Sequence, residues 1–70
     1  MRYMVVVEKS DTSYGAYVPD LPGCVAVAET ETEVLQLIHE AIEFHIESLK
    51  EDNLPVPFPH SVVQYVEVPA

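Results

Sequence analysis

The run Pro19-Asp20-Leu21-Pro22-Gly23 restricts what this chain can fold into more than any other stretch. Each proline holds its own φ near about −65° and pushes the residue before it out of the helical region. Gly23 can take the left-handed turn conformation closed to most other residues. The five residues therefore predict a rigid corner. Two β-rich runs precede it, and a third run and a long helical segment follow, so the corner sets how the sheet meets the helix.

Seventy residues leave room for one domain, residues 1–70, with one layer of helix on one layer of sheet. A chain this short buries only about 60% of its unfolded surface, and roughly 3–5 kcal/mol of stability is expected. The apolar fraction is 49% and there are only two glycines, which points to a folded domain rather than a linker. Twelve acids against three Lys and Arg give a net charge of −9. Such a surface repels phosphate backbones, so direct nucleic-acid binding is not expected, and the complementary partner is a basic one. The lone Cys24 has no disulfide partner and sits in a β-branched run, where it reads as a small core hydrophobe. No leader pattern opens the sequence and no apolar run nears the roughly 18 residues of a bilayer span, so a cytoplasmic location is expected.

Taken in order, Tyr3–Glu8 is a β-branched run with apolar residues at both alternating positions, which fits a central strand covered on both faces. Lys9–Ser13 is a polar hairpin turn, and Tyr14–Val18 and Cys24–Ala28 read as the second and third strands of an antiparallel meander. Thr30 and Glu33 have capping-box spacing: the hydroxyl can accept from the Glu33 amide while the Glu33 carboxylate reaches back to the Thr30 amide. The helix is predicted from about Glu31 to Lys50. Its core stripe comprises Leu35, Ile38, Ile42, Ile46 and Leu49, flanked by Val34 and Ala41, and its opposite face is a band of acids that includes Glu40, Glu43 and Glu47.

Leu37 and Phe44 lie one above the other beside that band, outside the core stripe. Either they form a contact surface for a partner or a second copy, together with Glu40, Glu43 and Glu47, or the sheet curls enough to cover them. After the helix, Leu54–Pro59 alternates proline with apolar residues and predicts a stiff connector. Ser61–Val68 then reads as a fourth strand that adds at an edge or pairs with a second subunit. The predicted class is thus α+β, in the order β-β-β-α-β. A homodimer or larger assembly is expected, because a single small sheet has two edges and one bare face to protect.

The search for chemistry returns little. His39 and His45 are not at the spacing that puts two imidazoles on one helical face, and one cysteine gives no zinc set, so no metal or other cofactor is expected. No serine stands in a nucleophile elbow, and no glycine-rich loop could cradle phosphate. Asp20 could be read as a catalytic acid, but between two prolines its ordinary role is to hydrogen-bond the turn backbone. No catalytic residue is assigned.

The run from Tyr14 to Cys24 around the corner, followed by the capped helix opening at Glu29–Glu33, resembles the HicB family of antitoxins. The resemblance is to a short form, without the C-terminal DNA-binding domain that many relatives carry. It implies a fold like a truncated ribonuclease H, and a function as the antitoxin of a type II toxin–antitoxin system. Such a protein binds and masks a small basic HicA-type toxin that cleaves mRNA, and performs no catalysis. The −9 charge suits such a target. The alternative is an orphan oligomeric interaction module of the same fold with no toxin partner, and a degenerate hydrolase is the weakest reading.

Overall fold

The computed structural model describes residues 1–70. Strand β1 (Val6–Lys9), β2 (Tyr14–Tyr17) and β3 (Val25–Ala28) form an antiparallel sheet in the order β1-β2-β3, and helix α1 spans Glu31–Glu51. The β1/β2 turn is tied by the Ser10 amide on the Ser13 carbonyl at 2.9 Å. Register places Val6 opposite Tyr17 and Tyr17 opposite Val25.

β1 begins later than the sequence pattern suggests. Continuing the register would set Met4 against Pro19, which has no N–H to give, so Tyr3–Val5 runs on unpaired. β1 is also an edge strand rather than the predicted central one.

The corner closes between β2 and β3. The Val18 amide donates to the Cys24 carbonyl at 3.2 Å, the Leu21 amide to Val18 at 3.1 Å and the Cys24 amide to Leu21 at 3.1 Å, with Gly23 at φ +85°. These bonds turn Leu21 inward. It is fully buried with Ala16, Val18, Cys24, Val34 and Ile38, and these six form the core between sheet and helix.

Thr30 caps α1 as expected: its hydroxyl oxygen accepts from the Glu33 amide at 3.1 Å. The reciprocal half of the box differs. The Glu33 carboxylate accepts from the Thr30 hydroxyl, at 2.9 Å, rather than from the Thr30 amide. At the far end, the Asn53 amide donates to Lys50 at 3.1 Å and the Leu54 amide to Leu49 at 2.8 Å, with Asn53 left-handed at φ 56°. This is the hydrogen-bond pattern of a Schellman stop, and it reverses the chain into the proline segment.

Only Val34 and Ile38 of α1 are fully buried; Ile42, Ile46 and Leu49 are half-covered and Leu35 is 45% exposed. Length explains the shortfall. Four-residue strands span about 13 Å at about 3.3 Å per residue, whereas the helix runs about 31 Å at about 1.5 Å per residue. The helix packs on β3 and β2 and little on β1, so the β1 side of its apolar stripe is left open.

The predicted fourth strand is absent. No residue from Leu54 onward lies in a strand, and Val62–Ala70 is exposed throughout. The sheet ends at three strands because neither edge receives a partner from this chain.

Candidate protein-binding site

Three surfaces and one buried clamp carry the features that could serve a function. On α1, Leu37 and Phe44 point outward, Phe44 at 71% exposure, so the sheet does not curl over them. Glu40 and Glu47 are exposed on the adjoining arc, and the Gln36 amide nitrogen donates to Glu40 at 3.5 Å. An aromatic ring and a leucine bordered by carboxylates form an apolar anchor with an acidic rim, suited to a basic protein surface.

Glu43, one turn from both Glu40 and Glu47, stands where that acidic arc meets a second feature. It lines a groove of about 530 Å³ on the other side of the helix, between α1 and the unpaired Met1–Val5 segment, with Leu35, Ile38, Ile42 and Ile46 as its apolar wall. Sequence reading assigned these residues to the core and missed the groove. The only signal available was that the predicted stripe is longer than any of the predicted strands.

Asp20 is where residue-level reading went furthest astray. Its carboxylate does not bond the turn. One oxygen, Oδ2, accepts from the backbone amides of His60 at 2.9 Å and Ser61 at 3.0 Å, and the other, Oδ1, accepts from the Ser61 hydroxyl at 2.6 Å. His60 Nε2 lies 3.2 Å from Oδ1 on a side chain that is 75% exposed. The Ser61 hydroxyl and backbone bonds outweigh burial and, with the His60 amide and ring, hold the carboxyl down at about 2. A second tie runs from the Tyr3 hydroxyl to the Pro57 carbonyl at 2.5 Å. The corner thus pins the returning chain, a link between residues forty apart that no local pattern reveals.

Asp, His and Ser side chains meet here, but not as a catalytic triad. The serine proton goes to the carboxylate, not to imidazole, and His60 Nδ1 sits 3.0 Å from the Phe58 carbonyl. A triad needs the imidazole between hydroxyl and acid, so this arrangement leaves the serine without a base. Cys24 is buried, and burial pushes its thiol up, away from the reactive thiolate. No group of three or more His, Cys, Asp or Glu side chains converges as a metal site, and no helix is long and apolar enough to cross a membrane.

The sheet face turned away from α1 is a third apolar surface, with Tyr17, Val25 and Val27 exposed on it.

A family model for the HicB-like antitoxin of bacterial toxin–antitoxin systems matches residues 3–70. The chain belongs to the HicB-like antitoxin family. Among its relatives, an uncharacterized 14.9 kDa protein of Haemophilus phage HP1 is 38% identical over 69 residues, covering 99% of this chain and 52% of the phage protein. A UPF0150 protein of Thermoplasma acidophilum is 43% identical over 58 residues, 81% of this chain and 84% of that one. Antitoxin HicB 1 of Photorhabdus laumondii is 35% identical over 71 residues, 99% of this chain and 46% of that protein. The chain thus spans about half the length of the phage protein and of HicB 1, and most of the short UPF0150 relative. The HicB-like match includes both halves of the Asp20 clamp, since Asp20 and Ser61 fall within its bounds.

Proposed function

We propose that this HicB-like chain is an antitoxin that neutralises a small basic HicA-type toxin by binding and masking it, acting as a homodimer or larger assembly. The carrying observation is the exposed Leu37 and Phe44 pair beside Glu40 and Glu47, on a member of this family with net charge −9. The mechanism is occlusion. A toxin that acts on mRNA needs a cationic surface to hold phosphates, and an acidic helix face competes for that surface without chemistry. The aromatic anchor supplies affinity, while the carboxylates speed encounter and reject acidic partners.

The test is co-expression of this chain with a basic HicA-type toxin encoded beside it. Wild type restores growth and co-purifies, whereas Phe44→Glu weakens the complex by about 30-fold or more, the size of a lost hot spot. Failure of the wild-type chain to bind or rescue refutes the reading and leaves the oligomeric interaction module in its place. An unchanged affinity in folded Phe44→Glu moves the contact off this face.

A further inference from the structure

Beyond Ser61 the chain makes no hydrogen bond with the rest of the molecule, yet it is not built like a solvated tail. Val62, Val63, Tyr65, Val66 and Val68 are all exposed, Tyr65 at 92%, and Glu67 is the one ionisable side chain among them besides the Tyr65 phenol. A run this rich in β-branched and aromatic residues, with its backbone unpaired, is ready to become a strand beside any open edge. Its starting point is fixed, because the Asp20 clamp holds His60 and Ser61. Val62 and Val63 leave beside Arg2, Tyr3 and Met4.

The same molecule carries the matching receptor. β1 is an open edge, the backbone before it is unpaired, and the groove behind that segment exposes Leu35, Ile42 and Ile46. Arg2 and Lys50 line the groove, two of only three cationic residues in a chain of net charge −9. With Glu43 as its one carboxylate against these two cations, the groove is a net basic spot on an acidic protein, and Glu67 is the acid of the arm. This chain's own arm leaves its own groove open.

We propose that residues 62–68 of one copy dock along the β1 edge and groove of a second copy, and the second copy's arm docks on the first. The exchange is isologous: each arm meets the other copy's groove, so two identical contacts close the dimer. It covers the open part of the α1 stripe, supplies the fourth strand in trans, and pairs Glu67 with Arg2 or Lys50. Phe44 and Leu37 lie on the other side of α1 and stay free in this dimer, so toxin masking and arm exchange use separate surfaces. The proposal rests on the self-association in the preceding reading and not on the toxin, and it is tested on this chain alone.

Sedimentation equilibrium over the micromolar range reports a dimer for wild type. Val66→Asp with Val68→Asp raises the dimer dissociation constant about 100-fold or more, as expected for two buried valines replaced by charge, while circular dichroism keeps the helix signal. In a sample mixing labelled and unlabelled wild-type chains, intermolecular NOEs connect Val62–Val68 protons to Leu35, Ile42 or Ile46 methyls. A monomeric wild type overturns the proposal. So does a dimer unchanged by the two aspartates, which would keep self-association but exclude the arm, or a mixed sample whose contacts from the arm are all within one chain.

Discussion

Leu21→Ala is the most demanding perturbation of this fold. Leu21 is fully buried at the corner, in a core of only six buried residues. Removing three carbons forfeits about 2.4 kcal/mol of transfer free energy at about 0.8 kcal/mol each. The corner is held by its own ladder of backbone bonds and cannot collapse into the space, so a cavity term adds to the loss and brings it to about 3–4 kcal/mol. For a domain with roughly 3–5 kcal/mol in hand, that leaves the variant close to unfolded. Leu37→Ala is the matched control: at 43% exposure, and outside the groove, it should cost about 1–1.5 kcal/mol. Urea denaturation followed by far-UV circular dichroism, at one fixed protein concentration, measures both. A Leu21→Ala loss below about 1 kcal/mol, or a Leu37→Ala loss equal to it, would falsify the account of the corner as the centre of the core.

The Asp20 clamp gives a pH signature. Its folded-state pKa, about 2, lies below the ordinary 3.8, so its contribution is fully present above pH 3.8 and is lost as pH falls toward 2. The stability difference between wild type and Asp20→Asn should shrink as pH falls from 3.8 toward 2, as read from urea midpoints; a constant difference down to pH 2 would contradict the clamp. Gly23→Ala isolates backbone strain, because an added Cβ meets nothing within 4 Å while φ is +85°. A loss of about 1–2 kcal/mol is expected in the same assay, and no loss would mean that the corner relaxes.

The local elements were legible because their causes are local. Proline and glycine dictated the corner, Thr30 with Glu33 started the helix, and short β-branched runs gave the meander. Helical periodicity set Leu37 and Phe44 outside the core stripe, and the fold decided that the sheet leaves them uncovered. Ser61–Val68 looked like a strand for the same reason, since its residues favour pleated backbone; but a strand also needs a neighbour, and the sequence of one chain does not say where one is.

What the amino-acid order determined by itself is therefore the set of pieces, an acidic helix behind a proline corner and a small antiparallel sheet. Only the tertiary structure decided that Asp20 reaches across to His60 and Ser61, that β1 lies at an edge, and that half the helical stripe has no strand beneath it. The physical reason is range. Capping, turn and periodicity signals act within a few residues, whereas a buried carboxylate's partners and a groove's depth depend on the lengths of elements that meet only once the chain has folded.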